Sequence, residues 1–296
     1  NECLVNGTQR TQHQTMTTGA LIFAFDTEHT RYLDMAAFCA ERVQQFLNIP
    51  VAVVTNNPAA ENETVFDRVI YADTLGTNFR WFGDLKQHVT WHNGNRVDAY
   101  NLSPWDQTLV LDADFVINSE DLKVVLNSSQ EFMCFRSAFN LARPEEEFLN
   151  TFGTYQYPMY WATVMMFRRS NTAQYIFDAM QMIRENWTHY RDLYHISQPT
   201  YRNDYALSIA LGIVSGQTLK VDAIPWGMPS VVPENKLTLD NETFWNIEYE
   251  DAQGKCKTVS IVGLDFHAMG KRDLGAIVET HRRTRLCDHG LEHAPS

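Results

Sequence analysis

An α/β fold with a mostly parallel central sheet flanked by helices is predicted by three features of the 296-residue chain. Short apolar runs alternate with a stretch of helical period, the order in which strand, helix and strand build a parallel sheet. The longest such run, residues 108–117, is interrupted only by Asp112 and Asp114, as where a buried strand ends in a functional loop. A hydrophobic share of 44% over this length is also enough for a sizeable core.

Residues 1–17 are polar, rich in Thr and Gln and without period, which predicts an irregular tail. Residues 20–25 form a first buried strand that stops at Asp26. Apolar residues at Leu33, Ala36, Ala37, Ala40, Val43 and Leu47 keep helical spacing and predict a helix over 30–46, which Asn48-Ile-Pro50 stops. Strands follow at 51–54 and 65–71.

Residues 74–100, with Trp81, Phe82, Trp91 and His92, carry no period and predict a long aromatic loop of the kind that carries function, with one helical turn at 96–100. After the Asp-x-Asp strand, a capped helix is expected from Ser119 to Val125 and a strand over 131–135. Residues 140–159 predict a second loop, 160–167 a strand and 172–187 a periodic helix. A short helix over 205–211 has Asp204 at its start, where a carboxylate complements the helix dipole. The last strand, 259–264, runs into Asp265-Phe-His267.

A formal charge of −12 repels polyanions and disfavours a broad nucleic-acid surface. The one tight basic cluster, His281-Arg-Arg-Thr-Arg285, predicts a solvated tail, with phosphate contact as the other reading. Five scattered cysteines, Cys3, Cys39, Cys134, Cys256 and Cys287, form no C-x-x-C pair and fit a reduced compartment, Cys39 and Cys134 as small buried hydrophobes. No run approaches the ~20 apolar residues of a membrane span, and the polar start is no signal peptide. The expectation is therefore a soluble, cytoplasmic chain. Asn-x-Ser/Thr sequons at Asn6, Asn62, Asn101, Asn127, Asn186 and Asn241 argue for the alternative, a trimmed enzyme of the secretory lumen.

In an extended chain, side chains at i and i+2 share a face, so Asp112 and Asp114 would present two hard oxygen ligands side by side, suited to Mn²⁺ or Mg²⁺. Their apolar flanks make the carboxylates costly unless paired or metal-bound. His267, at the end of an apolar strand, adds an imidazole; Gly270 would let backbone approach a phosphate and Lys271 would place a charge on it. Structural roles compete with these. Asp26 can cap the helix after it, Asp204 can complement a dipole, Arg96 can form a surface ion pair and His267 can be a hydrogen-bonded core residue.

Asp112-Ala-Asp114 after an apolar strand, with a late His267-x-x-Gly270-Lys271, resembles the nucleotide-sugar glycosyltransferases of the GT-A fold. The likeness is to the retaining, glycogenin-like family and its lipooligosaccharide galactosyltransferase relatives, over roughly residues 20–275. It implies a Rossmann-like sheet and Mn²⁺ or Mg²⁺ held by Asp112, Asp114 and His267 against the diphosphate of a nucleoside-diphosphate sugar, a UDP-sugar foremost. It further implies donor contacts from Asp26, Tyr32, Arg96 and Ala113, phosphate contacts from Gly270 and Lys271, and Asp204 as the catalytic residue near sugar and acceptor.

Two signatures depart from that family: Tyr160-Trp-Ala stands where it has Asn-Ser/Ala-Gly, and Lys271-Arg-Asp-Leu274 where it has Lys-Pro-Trp. The implied organisation is an N-terminal tail at 1–17, a single catalytic domain at 18–280, with a nucleotide half (18–118) and an acceptor half (119–280), and a basic tail at 281–296. The acceptor is a glycan, protein or lipid. The chain is also similar to glycosyltransferases of large tailed phages, which makes a hydroxymethylated DNA base in a phage-infected cell the alternative acceptor. A nucleotidyltransferase and a non-catalytic nucleotide-sugar binding protein are further alternatives, although Asp26-Thr-Glu-His-Thr30 is not the Gly-rich basic loop of the former.

Overall fold

The computed structural model describes residues 16–75, 78–82, 87–218, 221–240 and 243–291. Its central sheet has six strands in the order Arg68–Tyr71, Val51–Thr55, Thr18–Phe23, Gln107–Asp112, Trp161–Arg168 and Phe132–Phe135. The first four run parallel. Trp161–Arg168 runs antiparallel to both its neighbours. Strands covered on both faces have no polar side to show, which is why the innermost read as unbroken apolar runs; Val51–Thr55 is buried at every residue. The predicted α/β class, mostly parallel with an Asp-x-Asp after a central strand, is the observed one.

Helix Tyr32–Leu47 follows the first strand and packs on the long helix Lys271–Leu291. It ends at Asn48, whose φ of 54° is left-handed and turns its N–H back onto the carbonyls of Val43 and Gln44. Helices Asn171–Glu185 and Asn203–Val214 pack on each other, the second also against Trp161–Arg168. No helix among the described residues is long and apolar enough to cross a membrane.

A second sheet, ordered Arg143–Glu147, Ala138–Asn140, Met228–Val231, Phe266–Ala268 and Phe115–Val116, sits beyond the end of the Asp-x-Asp strand. A third, antiparallel sheet joins Lys236–Asp240, Phe244–Glu250 and Cys256–Ile261. Its anchor is Trp245, fully buried, with its ring edge-on to Phe38 and Phe266 and its indole N–H donating to Asn118 Oδ1 at 3.0 Å.

Several expectations change. Residues 74–100 are not one irregular loop: Asn78–Phe82 pairs with Gln87–Trp91 in a hairpin, then a 3₁₀ turn, Gly94–Asp98, runs into the short helix Ala99–Leu102. The expected loop at 140–159 holds the short strands Arg143–Glu147, Thr151–Phe152 and Tyr157–Pro158. The expected strand at 259–264 is the end of Cys256–Ile261 in the third sheet; the chain then turns at Gly263, φ 64°, so His267 lies inside a separate strand, Phe266–Ala268.

The basic cluster is no tail. His281–Arg285 continues the last helix, with Arg282 on Asp34 and Glu63, Arg285 on Glu41, and His281 Nε2 2.9 Å from Glu41. Asp34 and Glu41 of the neighbouring helix, with Glu63 beyond it, hold it there, a pattern that local sequence does not reveal. Residues 1–15 of the expected tail with Cys3 and Asn6, Asn241, residues 292–296, and the side chains of Trp81, Phe82 and Cys287 lie outside the described residues.

Candidate active site

A cavity of about 570 Å³ opens at the carboxyl ends of the central strands, where open α/β sheets present their ligand sites. Phe23 and Asp112, register partners on adjacent parallel strands, both line it, as do Phe25 and Tyr32. Asp112 is the last residue of its strand; the chain then turns at Ala113 and Asp114, and Phe115 enters the second sheet opposite His267. The carboxylates therefore meet because the chain changes sheets, not because an extended strand puts i and i+2 on one face. The Asp114 carbonyl fixes this turn by accepting the Ala268 N–H at 3.0 Å.

Ligand atoms of Asp112, Asp114 and His267 all lie within 4.8 Å of one another. His267 Nε2 is 3.4 Å from Asp114 Oδ2. Two hard oxygens and one imidazole nitrogen, with two negative charges among them, suit Mn²⁺ or Mg²⁺. The donor set fits a divalent ion.

Each carboxylate of the cavity is paired with one cation. Arg96 contacts Asp112, Lys271 contacts Asp114, and Arg202 Nη2 holds Asp204 Oδ2 at 2.7 Å. The first two pairs are largely desolvated, with Lys271 and Asp114 side chains only 8% and 7% exposed. Burial pushes the Arg96 guanidinium down to about 10, partly offset by Asp204, so it remains cationic at neutral pH. The peptide of Ala162 connects the pairs: its carbonyl accepts from Arg96 Nη1 at 3.0 Å and its N–H donates to Asp204 Oδ1 at 2.9 Å.

Of the residues expected from sequence, Tyr32, Arg96, Asp112, Ala113, Asp114, Asp204, His267 and Lys271 share the cavity wall. Asp26 lies outside it. Its carboxylate accepts the Leu33 N–H at 2.8 Å and Asn57 Nδ2 at 2.9 Å, fastening the start of the first helix. Gly270 is also off the wall, and a Cβ there would meet only Pro233 Cα at an ordinary 3.6 Å, so the site does not need a glycine for space. Arg96, one of whose readings was a surface ion pair, is an inward-facing one.

Trp91 and His92, expected in an aromatic loop, line the cavity from the hairpin and the turn after it. Sequence reading missed Arg202, Asn93 and Asn95 on the same wall, which Trp161 and Thr163 of the expected strand 160–167 also line. Asn203 Nδ2 donates to the Asn93 carbonyl at 2.9 Å, and Asn95 bridges the Leu75 N–H and the Asp73 carbonyl, so these amides brace the 3₁₀ turn that carries Arg96 against the helix start that carries Asp204. Only an excess of Asn near residue 93 hinted at them.

No protein-family model and no curated protein matches the chain. Solved structures show likenesses in chain course. The galactosyltransferase LgtC, in complex with donor and acceptor sugar analogs, is 12% identical with a TM-score of 0.42, covering 65% of this chain and 70% of that one. Mouse xyloside xylosyltransferase 1 in its apo form is 12% identical with a TM-score of 0.40, covering 68% and 83%. The inositol-1-phosphate CTP transferase of T. maritima is 8% identical with a TM-score of 0.40, covering 71% and 86%. These proteins perform different transfers, and none assigns a role to a residue of this chain.

Proposed function

We propose that the protein is a metal-dependent glycosyltransferase that moves a sugar, with retention, from a nucleoside-diphosphate sugar, foremost a UDP-sugar, to an acceptor hydroxyl. The observation that carries this reading is the convergence of Asp112, Asp114 and His267 within 4.8 Å at the end of a central strand, with Arg96 and Lys271 against the two carboxylates. The catalytic unit runs from residue 18 through the last helix, Lys271–Leu291, which Arg282 and Arg285 fasten to the first. A cavity of about 570 Å³ lies in the range of small-molecule and cofactor sites and has aromatic walls for rings.

Asp112, Asp114 and His267 would hold Mn²⁺ or Mg²⁺, which when bound neutralises charge on a diphosphate leaving group. Arg96 and Lys271 bind the phosphate oxygens and stabilise the charge left on them as the anomeric C–O bond breaks. Phe23, Phe25 and Tyr32, on the cavity wall, would flank the nucleoside, while Asp26 fixes the helix that presents Tyr32, and Ala113, between the two carboxylates on the same wall, would contact the donor. Gly270 is given no contact; it joins the His267 strand to Lys271.

Asp204 faces the sugar and stabilises its positive charge. Its two oxygens are already held by Arg202 and the Ala162 N–H, an arrangement that suits an electrostatic role better than a general base. The acceptor hydroxyl therefore bonds to the anomeric carbon from the side the phosphate leaves, and its proton passes to a phosphate oxygen of the departing nucleoside diphosphate. This favours retention.

Duplex DNA as acceptor loses support because Arg282 and Arg285 face carboxylates of the first helix and its surroundings, and the net charge is −12. A saccharide or other neutral hydroxyl compound fits better.

The test is release of UDP from UDP-sugars, with and without a saccharide acceptor, in the presence of Mn²⁺. Turnover is expected to need the ion and to fall by at least about 100-fold in Asp112→Asn and Asp114→Asn. Unimpaired turnover in those variants sinks the metal assignment, and tight UDP binding without turnover on any donor makes the protein a binder.

A further inference from the structure

The metal carboxylates already have cationic partners on the cavity wall. Arg96 sits on Asp112 and Lys271 on Asp114, in surroundings that leave these four side chains between 7% and 20% exposed. Both cations are also anchored behind: Arg96 Nη1 donates to the Ala162 carbonyl at 3.0 Å and Lys271 Nζ to the Ala268 carbonyl at 3.2 Å. They cannot leave the wall without giving up those bonds.

Charge balance follows from this arrangement. The two pairs are neutral together, so a dication entering alone leaves about two uncompensated positive charges in a poorly solvated pocket, and a diphosphate entering alone leaves about two negative ones as a nucleotide sugar and about three as a free nucleoside diphosphate. Entering together they nearly cancel, the carboxylates taking the ion and the two released cations turning to the phosphates.

We propose that Arg96 and Lys271 act as built-in counter-ions that keep the carboxylates from taking a bare divalent ion, so that the site accepts the ion and the diphosphate only as a pair. The inference rests on the nucleoside-diphosphate reading above and adds an order to it: the effective ligand is the metal–nucleoside diphosphate chelate, and free metal is a poor ligand.

Isothermal titration of the full chain with Mn²⁺ alone, UDP alone and each in the presence of the other tests this, after correction for Mn²⁺–UDP chelation measured without protein. GDP and CDP are run in parallel so that base preference does not decide the outcome. In the wild type each ligand is expected to bind at least about 30-fold tighter when the other is present. In Lys271→Gln and, separately, Arg96→Gln, Mn²⁺ alone is expected to bind about 5-fold tighter or more, because a repelling charge is gone, and the mutual enhancement to fall below about 3-fold.

Thermal unfolding of each variant confirms that it is folded, and either one suffices for the comparison. Wild-type protein that binds Mn²⁺ alone as tightly as with UDP overturns the counter-ion role, as do folded variants that keep the wild-type enhancement. Absence of binding to all three nucleoside diphosphates with Mn²⁺ overturns the glycosyltransferase reading as well, so the two failures are told apart.

Discussion

Ala162 contributes no functional side chain, yet its peptide ties the two ends of the site together, holding Arg96 through its carbonyl and Asp204 through its N–H. The two candidate carboxylates were legible because charge inside apolar sequence is costly: Asp112 and Asp114 interrupt a buried run and had to have partners, whereas Lys271 was legible only from its place after His267-x-x-Gly270. Arg202 and Asn93 were not legible, since a polar residue in polar sequence carries no such signal. Gly94 is equally silent in sequence, although a Cβ there would come within 2.0 Å of the Leu75 carbonyl oxygen. Gly94 opens the 3₁₀ turn that presents Arg96, and its own carbonyl accepts from Arg184 at 3.0 Å. Gly94→Ala is therefore expected to lower stability by roughly 1–3 kcal/mol in chemical denaturation and to weaken UDP–Mn²⁺ binding in the same preparation. Unchanged stability would show that the turn can move aside.

Among the elements, the parallel strands and the long helices were read correctly because burial on both faces, or on one helical stripe, writes a strong pattern. Of the third sheet only the end of its last strand, Cys256–Ile261, was read, for the opposite reason. In Phe244–Glu250 only alternate residues, Trp245 and Ile247, are fully buried, while Glu248 and Glu250 face outward. That period of two was present but brief, and the loop 251–255 after it separates it from the partner strand, of which only the apolar end was read. Two thiols report on the elements that were read well. Cys39 in the first helix and Cys134 in the strand Phe132–Phe135 are buried, whereas Cys256 at a strand start is exposed. Burial raises Cys39 from 9.0 to about 12 and moves Cys134 in the same direction. At pH 8 a thiol reagent should label Cys256 and leave Cys39 and Cys134 untouched until denaturant is added, as read by peptide mapping; labelling of Cys39 as fast as Cys256 would contradict the packing. Because the unfolded thiols ionise first, the unfolded chain binds fewer protons above pH 9, so this contribution to stability is whole below pH 9 and is lost as pH rises toward 12.

For the whole molecule, the two halves expected from sequence interlock. Trp161–Arg168 lies in the first sheet and Phe115–Val116 in the second, so the division near residue 118 does not follow the sheets. The candidate site occupies their junction, where Gln107–Asp112 ends in one sheet and Phe115–Val116 pairs with Phe266–Ala268 in the other. Sequence singled out Asp112, Asp114 and His267, which the fold brings together, but could not supply this junction, because the pairing of Phe115 with His267 joins positions 152 apart. The central claim is that this junction holds one divalent ion together with a nucleoside diphosphate. The most direct measurement is anomalous diffraction from crystals grown with Mn²⁺ and UDP. The account predicts a single manganese peak coordinated by Asp112, Asp114 and His267 with diphosphate density against Arg96 and Lys271; UDP bound elsewhere, or a manganese peak away from those three side chains, would contradict it.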